Sequence, residues 1–397
     1  MKKLFITLCI LSTQTLMAHP DCVFNNAPVG SGISKKVGEK SDNAIISKTI
    51  AAKEKLDELI NLFNRNRARS ISVLAALEGE HSLEKPLIYS PKTIAQDLAK
   101  LQSQMSPELK RVIFENGRID LNRISEIDIR RHGGKLAGLY ELAIRYELLI
   151  KRKSVYVEQS HKDVRGFNYL YGSKINEKTL NNFSSYSSSQ QETVKEALMG
   201  ICRNNKVKIA KCKKELNTSI RRNTLGAYYT KYINTAVTNW NSFFQIPARG
   251  VRSDVRYVNG VLELPFKRPE TRAQEDFVRT IETYWKTPGL AVYLDFQDVE
   301  NIPNLILKEN SVAHVNKLGG NDIIMNSTIN MNAKGTQATL NHEFGHVLGL
   351  PDCYIEFFDE EQDAFVNYQL FKSDMMCSAS GKLTPRIIEE LKRVYSR

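Results

Sequence analysis

The chain is short of several things. After about residue 18 no stretch is long and apolar enough to cross a bilayer, so no membrane span is expected. No repeat of fixed period is found, and a repeat architecture is therefore not expected. Histidine is scarce, seven in 397 residues. His81, His132 and His161 are scattered through the first half without catalytic partners, and each reads as a surface or loop residue. His314 is likewise alone in a loop. What is present is a hydrophobic content of 42%, which makes the chain globular and long enough for two domains or slightly more.

The N-terminus reads as an export signal. Met1-Lys2-Lys3 is a charged start, and Leu4 to Leu11 is an apolar stretch too short to span. Cleavage is expected after Ala18, followed by a flexible segment over 19–40. The mature protein is expected to be secreted or periplasmic, where disulfides are permitted. Loss of Cys9 with the signal leaves five cysteines. Cys202 and Cys212 flank a short basic turn and form a plausible pair. Cys22 has no lipobox before it, since His19-Pro20-Asp21 is not a small apolar set, and reads first as a free or intermolecular thiol.

Charge is uneven. From residue 251 onward there are 16 basic and 21 acidic residues, a balance of −5, whereas the residues before it carry 40 against 23, a balance of +17. The basic half could dock on the acidic half or seek an anionic surface, or its charge could simply coat solvated helix faces. No nucleic-acid partner is expected. The acidic run Asp359-Glu360-Glu361 with Asp363 reads as a solvated face, with calcium or basic substrate side chains as sharper options.

Residues 41–248 carry helical periodicity. Ile45, Ile46, Ile50, Leu56, Leu59, Ile60 and Phe63 make one stripe, and Leu136 to Leu149 makes a broader one. Helix starts are expected at Ser90-Pro91, Ser106-Pro107 and a capping box over Ser189–Glu192. Arg130-Arg131-His132-Gly133-Gly134 reads as a turn that could bind an anion, and 181–191 as an exposed linker. A propeptide, an inhibitory cap or a docking module would all fit this half. Near residue 249 the texture changes to alternation. Val255 to Phe266 predicts a strand pair turning at Asn259-Gly260, Glu270 to Lys286 an amphipathic helix, and Leu290–Phe296, Leu305–Leu307 and Asp322–Ile329 further strands.

The richest chemistry lies in His342-Glu343-Phe344-Gly345-His346-Val347-Leu348-Gly349-Leu350-Pro351-Asp352. Histidines four apart on a helix share a face, so His342 and His346 can reach one metal ion, while Leu340, Phe344, Val347 and Leu348 form the buried face. Glu343 can hold and deprotonate a metal-bound water. Gly349 can end the helix in a left-handed turn and Pro351 prevents its resumption, which returns Asp352 as a third ligand. Glu360 or Glu361 could substitute for it, though neither sits in a second helical motif. Three ligands with an open fourth position describe a catalytic zinc rather than a structural one.

His-Glu-x-x-His-x-x-Gly-x-x-Asp resembles the zinc signature of the metzincin metallopeptidases, in the variant with aspartate as third ligand. The resemblance implies one catalytic Zn2+, a polypeptide substrate, and an α+β catalytic domain over 249–397 behind the helical 41–248. It also implies a methionine turn beneath the metal, which Met376, or failing that Met375, supplies. It further implies a Cys353–Cys377 bridge, because the segments after the third ligand and at the turn are neighbours in that family. The strand nearest the cleft pairs with substrate there, and Asp322, Ile323, Ile324 and Met325 are the candidates by position. Ser378 stands where some metzincins have a tyrosine. Cys22 could act as a latency ligand in a zymogen, although its flanks do not reproduce the known switch. Two competing expectations are an exported binding protein with a structural zinc, and a zinc hydrolase acting on cell-wall peptides.

Overall fold

The computed structural model describes residues 43–65, 81–309, 311–378 and 381–396. The expected signal, the segment 19–40 and Cys22 lie outside the described residues. The fold is α+β, with helices dominating the first half and three small sheets.

The first helices follow the apolar stripes. Helix α1 (Ala44–Arg65) buries Ile46, Leu56, Leu59 and Phe63. A short strand β1 (Leu87–Tyr89) precedes α2 (Pro91–Gln104) and α3 (Pro107–Phe114), which start at Ser90 and Ser106 with both serines capping. The expected turn at Arg130–Gly134 is instead inside the long helix α4 (Glu126–Ile150), where Gly133 and Gly134 are buried. Tertiary packing overrides the poor helix propensity of two adjacent glycines there. His132, expected at the surface, is buried on α4 with Asp128 3.1 Å from its ring. His81 lies outside any helix or strand, within the surface-or-loop expectation, but is buried. Next come α5 (Lys153–Gln159), α6 (Arg165–Gly172), α7 (Glu177–Leu180), α8 (Ser188–Asn204), α9 (Ile209–Arg221) and α10 (Leu225–Ser242). The α8 capping box is Ser187 with Gln190, two residues earlier than expected, so α8 takes the last four residues of the segment 181–191, and the rest of that segment is a largely exposed connection with Phe183 buried. Cys202 and Cys212 are bridged, tying α8 to α9.

In the second half, β2 (Arg256–Val258) and β3 (Val261–Lys267) form the expected hairpin, with Asn259 and Gly260 both at positive φ. Helix α11 (Arg272–Tyr284) crosses to β4 (Ala291–Gln297), which lies parallel to β3. Then follow β5 (Asn304–Lys308), β6 (His314–Val315) and β7 (Asp322–Asn326). The expectation that Asp322, Ile323, Ile324 and Met325 form a substrate-binding edge is corrected here. β7 is the middle strand, parallel to β5 along its length and antiparallel to β6 at Ile323 and Ile324, so the centre of the strand is paired on both flanks. Ile323 and Met325 point into the core. The outer strands of this sheet are β5 and β6.

After helix α12 (Lys334–Val347) the chain forms an antiparallel pair, β8 (Tyr354–Asp359) and β9 (Ala364–Gln369), before α13 (Pro385–Tyr395). The acidic Glu356 and Asp359 disguise β8 as a loop. Both are buried and paired: Arg145 of α4 donates to both Glu356 oxygens at 2.7 and 2.8 Å, and Arg203 of α8 is 3.5 Å from Asp359. Phe358 and Phe365 pack on the helical half, while Phe357, Val366 and Tyr368 face the C-terminal core. Burial on both faces explains the nearly continuous apolar runs.

Strand β1 completes this sheet by pairing antiparallel with β9, Leu87 opposite Asn367 and Tyr89 opposite Phe365. The boundary expected at 248/249 is therefore crossed by a sheet. The Tyr89 hydroxyl donates to Glu356 at 2.6 Å, and Tyr368 donates to Asp163 at 2.8 Å. The acidic run meets the basic half directly, with Lys213 on Glu361 at 2.5 Å and Lys153 by Asp363 at 3.5 Å.

Candidate metal centre

Helix α12 is anchored by its apolar face. Leu340, Phe344, Val347 and Leu348 are wholly buried, with the Trp285 ring edge-on to Phe344 at 5.4 Å. Its end is a Schellman turn: Leu350 N–H donates to Gly345 C=O at 2.9 Å and Gly349 N–H to His346 C=O at 3.0 Å. Gly349 has φ +85°, and a Cβ there would stand 2.3 Å from the Gly250 carbonyl oxygen. Only glycine fits, by conformation and by space.

This turn delivers Asp352 to the two rings. Its Oδ1 lies 3.1 Å from His342 Nε2 and 3.4 Å from His346 Nε2, and the rings stand perpendicular with centroids 4.8 Å apart. One ligand atom from each of the three residues falls within 4.8 Å of the others. Each ring is oriented from behind. His342 Nδ1 is 2.7 Å from the Met375 carbonyl, and His346 Nδ1 is 2.8 Å from the Leu350 carbonyl. A carbonyl can only accept, so each Nδ1 carries the proton and each Nε2 offers its lone pair to a cation.

The electrostatics suit a cation among these groups. Burial opposes charge on His346, yet the Asp352 carboxylate raises its pKa to about 9. Burial also opposes charge on His342, but its hydrogen bond to Asp352 together with the Asp352 and Glu343 charges raises its pKa. Burial works against ionised Asp352, but the two histidines hold it well below the usual carboxylate range. Positive charge between the rings and the carboxylate is thus favoured, whether carried by protons or by a metal. The donor set of two imidazoles and one carboxylate suits zinc. His346 Nε2 and Glu343 Oε2 are buried without a hydrogen-bond partner, each costing about 1–3 kcal/mol unless something else satisfies it. Burial raises the Glu343 pKa, opposed by the nearby histidine charges. His314 of β6 also acts on Glu343, a neighbour that a lone loop histidine did not signal.

The floor is the 373–378 turn. Met376 is fully buried, and its sulfur would be 2.4 Å from a Cβ placed on Gly345, so the thioether lies directly against α12. Met376 thus occupies the expected turn position, and Met375 contributes its carbonyl to His342. Asp374 holds the turn by accepting from Met376 N–H at 2.9 Å, Thr384 at 2.8 Å and Arg386 at 2.6 Å. Cys353 and Cys377 are bridged, which fastens the segment after Asp352 to the turn.

A cavity of ≈1080 Å3 opens beside His346 and Asp352. One wall is Val315 to Leu318, continuing from β6, and the other comes from the helical half, including Lys162 and Asn241, with Arg249 at the junction of the two halves. The second wall had no signal in the sequence, because it exists only once the halves are docked. No protein-family model, no curated protein and no solved structure matches the chain.

Proposed function

We propose that this protein is an exported zinc-dependent endopeptidase in which His342, His346 and Asp352 hold the metal and Glu343 is the general base. The observation that carries the reading is the convergence of two back-oriented imidazoles and one carboxylate beside an open cavity. Bound zinc would supply Lewis acidity, polarising a carbonyl and lowering the pKa of water. Glu343 adjoins the first ligand in a buried setting that raises its proton affinity, as suits a group that takes a proton from water and returns it to a leaving amine. The motif, the methionine under the helix and the bridge beside it together support the likeness to metzincins.

A structural metal calls for a fourth protein ligand. Among the described residues, this convergent group has three members. The helical half is read as a permanent part of the enzyme rather than a removable propeptide, since it completes the β1-β9-β8 sheet. Two disulfides and the N-terminal pattern support export.

The test combines metal analysis with cleavage assays on denatured casein and on purified peptidoglycan. One zinc per chain with chelator-sensitive casein cleavage is expected. Metal bound without turnover of either polymer would remove the enzyme reading, and turnover of peptidoglycan alone would redirect it to cell-wall peptides.

A further inference from the structure

The cavity beside the metal centre is strongly biased in charge. Its lining includes four cations, Lys162, Arg249, Lys317 and Arg393, and one acid, Asp352, which belongs to the metal centre. Arg393 is already bound to Glu390 at 2.6 Å. Among the described residues, Lys162, Arg249 and Lys317 have no carboxylate partner. Elsewhere the basic half spends its cations on carboxylates, as Arg145, Arg203 and Lys213 do. The Lys162 pKa is pushed down, first by burial and then by Arg249 and Lys206. The two smaller contributions are repulsion between like charges, and a cleft lined by one sign of charge focuses such a field.

We propose that this cleft selects polypeptides with acidic side chains close to the bond to be cut, their carboxylates received by Lys162, Arg249 and Lys317. The cations come from both walls, so a chain lying between them would meet positive charge on each side. The β6 edge and the following Asn316–Leu318 line one wall, where an extended backbone can lie along a strand. A nucleic acid would also bring negative charge, but the only aromatic residues in the lining are Phe243, which is buried, and Tyr354. Successive bases would lack a stacking platform.

The inference rests on the peptidase reading for its substrate, and its test is separable from it. The full-length Glu343→Gln protein is titrated, by fluorescence anisotropy, with a labelled glutamate-rich peptide and with matched glutamine and lysine versions. Two exposed pairs at 0.2–1 kcal/mol each predict that the acidic peptide binds roughly 2- to 30-fold tighter than the glutamine one, weakening with salt. Lys162→Ala with Arg249→Ala should erase most of that preference, with Lys317→Ala as an independent variant should the pair fail to fold. Equal affinity for the three peptides, an unchanged preference in the folded variants, or tighter binding of a single-stranded oligonucleotide would overturn the proposal. Wild-type cleavage assays on the same peptides separate the two readings. Acidic-peptide binding without cleavage keeps the cleft and sinks the enzyme, whereas cleavage indifferent to charge keeps the enzyme and sinks the cleft.

Discussion

Two buried polar clusters lie in the same chain and differ in one respect. At the seam between the halves, Glu356 is saturated by Arg145 and Tyr89, and Asp163 by Arg165 and Tyr368. In the candidate metal centre, His346 Nε2 and Glu343 Oε2 have no hydrogen-bond partner, although both residues are almost fully buried. The seam satisfies its own charges and fastens the molecule together. The candidate metal centre leaves buried polar atoms unsatisfied, a costly arrangement unless a ligand completes it.

That contrast can be attacked at either cluster. The largest effect is expected from Glu343→Gln, which should lower peptide cleavage by about 10²–10⁴-fold while zinc content and melting temperature stay near wild type. Retained cleavage would move the general base elsewhere. At the seam, Arg145→Met strands a buried carboxylate and should cost about 3–5 kcal/mol in urea unfolding, with zinc affinity of the folded protein unchanged. A parallel loss of zinc affinity would show that the two clusters are not independent.

Asp352→Ala should weaken zinc by more than the roughly 10–100-fold typical of losing an outer-shell partner, read by competition with a chromophoric chelator. An unchanged affinity would mean that another residue is the third ligand. Gly345→Ala drives a methyl into the Met376 sulfur and should cost about 1–3 kcal/mol, visible as a lower melting temperature. If stability is untouched, Met376 is not the floor described here.

The smallest effect concerns pH. Burial opposes ionisation of Asp163, but Arg165 beside it and the Tyr368 hydroxyl hold its pKa below the ordinary aspartate range. A depressed folded pKa means that this stabilisation is present above the unfolded value and is lost as pH falls through the folded one. Asp163→Asn should therefore be less stable than wild type at neutral pH, with the gap in unfolding free energy closing below about pH 4. A gap that persists in acid would assign the loss to packing instead.

Legibility followed the range of the interactions. Ser90 and Ser106 reveal their helices because a cap is a bond to a residue three positions away. The candidate triad His342, His346 and Asp352 spans eleven residues, so helix periodicity and one glycine turn bring all three together. The Cys353–Cys377 bridge and Met376 came through resemblance rather than spacing. β8 was missed because its glutamate and aspartate look solvated until Arg145 and Arg203, more than 150 positions earlier, are brought against them. β7 looked like an edge because nothing local shows that the two residues His314 and Val315 would cover its flank.

By itself the sequence determined the helix that carries His342, Glu343 and His346 and the stop that returns Asp352, since both depend on backbone geometry over a few turns. Only the tertiary structure decided that the helical half donates a strand to the other half, supplies counter-charges to its buried acids and forms one wall of the cleft. Those contacts join residues far apart in the chain, and their energies exist only when both partners leave water together.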